Sequence, residues 1–88
     1  MEKRVNQGVL AYEISSDGTY YLVAGKGTIE GNKIVIPSQY KGLPVTKIKD
    51  NAFLNNPEIT SFTIGRNVDY IGYGNLDAVT DLQELHFD

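Results

Sequence analysis

Residues 45–64 read VTKIKDNAFLNNPEITSFTI, and residues 68–87 read VDYIGYGNLDAVTDLQELHF. The two stretches align at a constant offset of 23 residues. Six apolar pairs then fall in register: Val45 with Val68, Ile48 with Ile71, Phe53 with Leu76, Ile59 with Leu82, Phe62 with Leu85, and Ile64 with Phe87. The residues between them vary freely, which is the pattern of a stacked repeat whose units lend the same apolar positions to one continuous core.

The second half of each stretch has the apolar spacing L-x-x-L-x-L. This spacing occurs at Ile59, Phe62 and Ile64, and again at Leu82, Leu85 and Phe87. Leucine-rich repeats have the same spacing, with an Asn or Cys three residues after the last apolar position, where Asn67 stands in the first unit. An amide both donates and accepts hydrogen bonds, so we expect Asn67 to satisfy backbone groups of the turn that leaves the strand.

A partial unit precedes these two full ones. Residues 34–36 followed by Pro37 correspond to residues 62–64 followed by Gly65, and the longer segment SQYKGLP (38–44) replaces RN (66–67). Gly42 and Pro44 predict a turn in that segment. Because identical units translate without reversing, we expect parallel strands near 33–37, 61–65 and 84–87. Residues 45–48 and 68–71 are expected to form short extended segments on the opposite side of the coil.

Two segments between the strands are predicted to hold short helical turns. They are DNAFLNNP (50–57), with Asp50 or Asn51 as its cap, and YGNLDAVTD (73–81), with Asn75 as its cap. Pro57 should stop the first turn from extending.

The N-terminal third has a different pattern. LAYEIS (10–15) and TYYLVAG (19–25) bracket SDG, which predicts a β-hairpin with Asp17-Gly18 in its turn. We interpret residues 9–33 as a cap that covers the open end of the first repeat. The predicted architecture is a single domain over residues 1–88, α+β to mostly β: the hairpin cap, then a short leucine-rich-repeat solenoid of about two and a half 23-residue units over 34–88.

The segment IVIPSQYKGLPVTKIKDNAF (34–53) resembles the BspA-type leucine-rich repeat family. Repeats of that family read V-x-x-I-x-x-x-A-F, then a turn, then L-x-x-I-x-I-P, and Ala52-Phe53 stand as the family has them. In the second unit Asn75-Leu76 replaces Ala-Phe. The resemblance, from about residue 12 to residue 87, implies bacterial proteins on the cell surface or secreted, roles in adhesion or protein binding, and arrays longer than two and a half units.

Composition excludes several classes of partner. The formal net charge is −3 and the isoelectric point is about 5.0, which argues against a nucleic-acid binder. The chain has no cysteine, so disulfides and thiolate metal sites are excluded. No apolar run approaches the length of a membrane span, so membrane insertion is not expected, and the basic N-terminus lacks the apolar region of a signal peptide.

Three features of the sequence could suggest a phosphate, catalytic or metal site, but none of them supports such a site. GKGTIEG (25–31) lacks the Ser or Thr of a phosphate-binding loop and the helix after it, so a turn between strands is the better interpretation. His86 is the only histidine and should point outward. Five carboxylates fall in turns and outward positions: Asp50, Asp69, Asp77, Asp81 and Glu84. We therefore predict no catalytic residue, no cofactor and no metal site, and we expect that the protein is not an enzyme.

The function expected from this pattern is binding to a protein or glycan surface. In parallel strands the residues between the inward positions face out, and they form two columns that are the candidate ligand-facing residues: Lys33, Ser61 and Glu84, and Val35, Thr63 and His86. A second candidate surface is the turn side, with Tyr70, Tyr73 and Lys47. The alternative function is self-assembly into a homo-oligomer through residues 76–88, where Leu82, Leu85 and Phe87 have no following repeat to cover them.

Overall fold

The computed structural model describes residues 8–76 and 79–88, and it is built from strands. In chain order they are β1 (Ala11–Ile14), β2 (Tyr21–Gly25), β3 (Lys33–Val35), β4 (Gln39–Tyr40), β5 (Leu43–Ile48), β6 (Ser61–Ile64), β7 (Tyr70–Ile71) and β8 (Glu84–Phe87).

The strands form two sheets with one core between them. Strands β3, β6 and β8 make a parallel three-stranded sheet in that order. In the other sheet β2, β5 and β7 run parallel to one another, β1 pairs antiparallel with β2, and β4 pairs antiparallel with the start of β5. Each coil of the chain therefore contributes one strand to each sheet, as a solenoid requires.

The pairing register has the offset of the sequence repeat. Ser61 lies beside Glu84 and Ile64 beside Phe87, and in the other sheet Ile48 lies beside Ile71. These partners are all 23 residues apart. Lys33 pairs with Ser61 at a longer offset because the segment 38–44 adds residues to the first coil. That segment folds into the β4–β5 hairpin, whose two turn residues, Lys41 and Gly42, both have positive φ (52° and 84°), as type I′ turns do.

The core is apolar, and most of its buried residues among those described come from the first full unit. Its buried members are Leu10, Val23, Ile34, Ile36, Val45, Ile48, Phe53, Ile59, Phe62, Ile64 and Val79. The repeat partners in the second unit are less covered: Leu76 and Leu82 are half-buried, whereas Phe87 is 67% exposed. Stacking explains the difference, because within residues 8–76 and 79–88 the first unit has a neighbour on both sides and the second unit packs against a neighbour on one side.

The first predicted helical turn is not present, and the described residues of the second are assigned no helix. Residues 49–56 instead form successive tight turns, in which Ala52 N–H donates to the Lys49 carbonyl (3.2 Å) and Asn56 N–H donates to the Phe53 carbonyl (3.2 Å). Asn51 has φ 62°, a left-handed conformation that no α-helix contains, so a helix cannot run through it. Asp77 and Ala78, in the second predicted turn, lie outside the described residues.

Asn75 has a different role from the predicted cap. It is 1% exposed, and its side chain reaches the preceding coil. Its Oδ1 accepts the N–H of Phe53 at 2.9 Å, and its Nδ2 donates to the carbonyls of Lys49 and Gly72, both at 2.9 Å. Asn67 also joins two coils, because its Nδ2 donates to the Ser38 carbonyl at 2.9 Å rather than to its own turn.

The N-terminal hairpin covers one end of the coil. Ser15 closes its turn: Ser15 Oγ accepts the N–H groups of Thr19 (3.0 Å) and Tyr20 (3.1 Å). Beside the hairpin, the rings of Tyr12 and Tyr40 stack with centroids 3.8 Å apart, and Tyr21 packs edge-on against both. Half of the six tyrosines thus serve the packing of the first coil.

Candidate binding surfaces

The predicted columns lie on the outer face of the three-stranded sheet, which we call the β3–β6–β8 face. Strand pairing places Lys33, Ser61 and Glu84 side by side, and it places Val35, Thr63 and His86 side by side one step along. Lys33, Val35, Glu84 and His86 are exposed and Thr63 is half-buried. Ser61 needs correction as a ligand-facing residue, because it is only 7% exposed: it lies on the central strand and offers little surface to a bound molecule.

Charge on the β3–β6–β8 face is mixed. Glu84 Oε1 lies 3.5 Å from His86 Nε2 on the same strand. Lys33, on the opposite edge, forms no ion pair with any described residue. The apolar Val35 lies on the same edge strand as Lys33 and is largely exposed. The face is therefore a small, mostly polar surface with one apolar point.

The turn side of the other sheet holds two exposed tyrosines next to Asp50. The phenol of Tyr70 donates to Asp50 Oδ1 at 2.6 Å, and the backbone N–H of Tyr73 donates to the same oxygen at 3.2 Å. The pKa of Tyr70 is raised, first because its phenol donates this hydrogen bond, and further by desolvation and by the negative charge of Asp50.

Lys47 does not join that pair of tyrosines. Its Nζ forms an ion pair with Asp69 Oδ1 at 2.9 Å and lies over the ring of Tyr20, 5.5 Å from the centroid. The hydrogen bond to Asp69 is the main reason that the pKa of Lys47 is raised. The predicted turn-side surface therefore divides into a neutralised Lys47–Asp69 pair and the Asp50–Tyr70–Tyr73 group.

The glycine-rich segment 25–31 forms a turn, as expected. Lys26 forms an ion pair with Glu58 at 2.6 Å, and Gly27 has φ 62°. A side chain at Gly27 would collide with the backbone carbonyl of Val9, so this turn is packed against the start of the hairpin. Lys26 is thus engaged within the protein.

The remaining predicted carboxylates lie at the surface where the structure describes them. Asp50, Asp69, Asp81 and Glu84 are exposed, and Asp77 lies outside the described residues. Over residues 8–76 and 79–88, no three side chains of metal-ligating type are grouped to hold an ion. In the same part of the chain, no helix is long and apolar enough to cross a membrane.

The edge of β8 carries two exposed apolar side chains. Among the described strands β8 pairs only with β6, and its inward-facing residues Leu85 and Phe87 are exposed. A strand edge of this kind presents unpaired N–H and C=O groups beside apolar side chains, which together form a template for another strand.

The sequence pattern missed the roles of Asp50 and Asn75, although one signal was available. Asp50 or Asn51 was expected to cap the first helical turn, and Asn75 the second. The 23-residue offset aligns Asp50 with Tyr73 and Asn75 with Ala52. This alignment indicates that each polar residue lies next to the neighbouring coil.

Comparison with known proteins gives one informative similarity. No protein-family model matches the chain, and no curated protein does so. The structure is similar to the crystal structure of a leucine-rich repeat protein from T. pallidum, with a TM-score of 0.77 and 25% sequence identity over 88% of this chain. The aligned part is 36% of that protein, so the chain spans about a third of its length.

This similarity supports the leucine-rich-repeat interpretation and does not test the narrower resemblance to BspA-type repeats. The chain is mostly β and has a fold similar to that of a bacterial leucine-rich repeat protein. No family model supports the narrower BspA-type resemblance, which stays a prediction. A fold of this kind indicates a module for protein interaction or a structural repeat.

Proposed function

We propose that the chain is a non-catalytic binding module that engages another protein through the β3–β6–β8 face. The observation that carries this proposal is the in-register row of outward side chains across three parallel strands. Repeat folds use such rows as extended binding surfaces, because neighbouring units present equivalent positions side by side. The extracellular or cell-surface location is part of the proposal and depends on the resemblance to BspA-type repeats.

The composition of the face favours a protein over a glycan as the ligand. Lys33 and Glu84 offer opposite charges on the two edges, and the exposed Val35 offers an apolar contact beside Lys33 on β3. Protein surfaces mix charged and apolar groups in this way. The face has only three rungs, so a single contact should be weak, and useful affinity would come from several copies or further repeats.

The triple variant Lys33→Glu/Thr63→Arg/Glu84→Lys tests the face. It reverses both edge charges and obstructs the centre, so we expect loss of binding to any protein that the parent binds on an array of extracellular-matrix proteins and glycans. All three side chains point away from the core, so the far-ultraviolet circular dichroism and thermal melt should be unchanged.

The control triple Lys41→Glu/Glu30→Lys/Thr80→Arg makes the same charge changes at exposed positions outside the face. It should bind as the parent does. Equal binding by parent and test variant would contradict the proposal, and binding to glycans alone would change the class of ligand.

Self-assembly through β8 is a second candidate, favoured by the exposed Leu85 and Phe87 on a strand edge. If it operates, light scattering should show a mass that rises with concentration, and Phe87→Lys should restore the monomer by placing a charge on the edge. Val35→Lys is the matched control, since Val35 is equally exposed on another strand. A strict monomer at high concentration would rule this candidate out.

A further inference from the structure

Asp50 is an exposed carboxylate with one oxygen in use and one free. Its Oδ1 accepts the phenol of Tyr70 (2.6 Å) and the backbone N–H of Tyr73 (3.2 Å). Its Oδ2 accepts no hydrogen bond from the described residues, and no cation among them pairs with it. The carboxylate is therefore fixed in position without being neutralised.

The cations nearest in sequence are committed elsewhere. Lys47 pairs with Asp69 at 2.9 Å, and Lys49 pairs with Glu13 at 2.8 Å. Neither lysine forms an ion pair with Asp50. The negative charge of Asp50 is thus available to a cation from outside the chain.

Tyr70 is held by Asp50 through its phenol, and Tyr73 is held beside the same carboxylate through its backbone. Tyr73 is 70% exposed, yet its backbone is fixed on two sides: its N–H donates to Asp50, and its carbonyl accepts the N–H of Asn51 at 2.7 Å. Gly72 makes this close approach feasible, because a side chain there would collide with Asp50 Oδ1. Neither Tyr70 nor Tyr73 stacks on another ring of the described part of the chain, and the two residues are 45% and 70% exposed.

From this arrangement we propose that Asp50, Tyr70 and Tyr73 form a second binding site, which takes an arginine side chain exposed on a partner protein. A guanidinium is planar, so it donates in its own plane to a carboxylate while its face lies on an aromatic ring. Hydrogen bonds between two charged groups are stronger than neutral ones. A tyrosine side chain has few rotatable bonds and loses little freedom on binding, which is why tyrosines are common in recognition surfaces.

This site goes beyond the β3–β6–β8 face, because it lies on the other sheet and involves none of the residues of that face. Lysine fits it less well than arginine, since an ammonium cannot stack flat on a ring while donating two parallel hydrogen bonds. A sugar ring could also lie on the tyrosines, but a neutral ligand would leave the charge of Asp50 unused.

Titration with the peptide N-acetyl-Gly-Arg-Gly-amide, followed by ¹⁵N–¹H NMR, tests the proposal. We expect saturable shifts of the amides of residues 72–74, with a dissociation constant on the order of millimolar for so small a ligand. The same peptide with citrulline in place of arginine has nearly the same shape without the charge, and it should bind at least about fivefold more weakly.

Two variants separate the contributions of charge and ring. Asp50→Asn keeps the size of the side chain and should weaken binding about tenfold. Tyr73→Ala removes an exposed ring without touching the core and should weaken binding about threefold. Glu30→Gln, a change at an exposed carboxylate without an ion pair, should have no effect.

Three results would overturn the proposal: no shift at residues 72–74, equal binding of the citrulline peptide, or unchanged affinity in Asp50→Asn. Shifts at the same amides with lactose but not with the arginine peptide would assign the surface to sugars instead. The triple variant of the β3–β6–β8 face should bind the arginine peptide normally, so each binding proposal fails or survives independently of the other.

Discussion

Replacing Phe53 with alanine is expected to lower the free energy of unfolding by about 3–5 kcal/mol. Phe53 has no exposed surface, and its ring packs edge-on against Phe62 with centroids 5.1 Å apart and an interplanar angle of 73°. It comes from the turns between the two sheets, so its removal leaves a cavity where they meet. Small domains are stable by only about 5–15 kcal/mol in total, so the variant should lose much of its stability.

Urea unfolding followed by tyrosine fluorescence measures this loss. Leu54→Ala is the matched control, because Leu54 is the next residue in the chain and is exposed, and it should cost less than about 1 kcal/mol. Equal effects of the two changes would mean that Phe53 does not anchor the core.

The second large effect is expected at Asn75. Replacing it with alanine removes three hydrogen bonds, two of them buried, to the preceding coil and its own turn. The Phe53 N–H and the Gly72 carbonyl would then be buried without partners, and each unsatisfied buried group costs about 1–3 kcal/mol. We expect a total loss of about 2–4 kcal/mol in the free energy of unfolding.

Asn67→Ala provides the comparison for Asn75. Asn67 also bonds to the preceding coil, through a single exposed hydrogen bond to the Ser38 carbonyl, so water can replace the amide. Its loss should cost about 0.5–1 kcal/mol. An Asn75 variant as stable as the Asn67 variant would show that the buried contacts do not hold the coils together.

The coiled arrangement of the strands was predictable from the spacing of apolar residues, because burial alone decides which side of each strand faces inward. Phe62 and Ile64 repeat at Leu85 and Phe87, and the strands that carry them pair at that spacing. The hairpin with Asp17-Gly18 was predictable for a local reason, since a turn of this kind needs glycine at positive φ (75° at Gly18).

Polar contacts between coils could not be obtained from the same pattern. The helical turn expected at residues 50–57 is replaced by tight turns, because Asn51 adopts a left-handed conformation and its backbone N–H donates to Tyr73 on the next coil. Helix propensity describes neighbours in sequence, whereas this bond joins residues 22 positions apart. The burial of Ser61 was missed for a similar reason. Alternation along a strand predicts on which face of the sheet a side chain lies, but not how much of that side chain the flanking strands cover.

A disulfide between residues 63 and 86 tests the 23-residue register most directly. The chain has no cysteine, so the double variant Thr63→Cys/His86→Cys can form only one intramolecular bond. Thr63 and His86 are paired across β6 and β8, and adjacent strands lie about 4.8 Å apart, within the range that a disulfide spans. At low protein concentration we expect rapid, nearly complete intramolecular oxidation of the 63/86 pair, seen by mass spectrometry, and much slower oxidation of the offset pair Thr63→Cys/Glu84→Cys. Faster oxidation of the offset pair, or none of the 63/86 pair, would contradict the stacked-coil register.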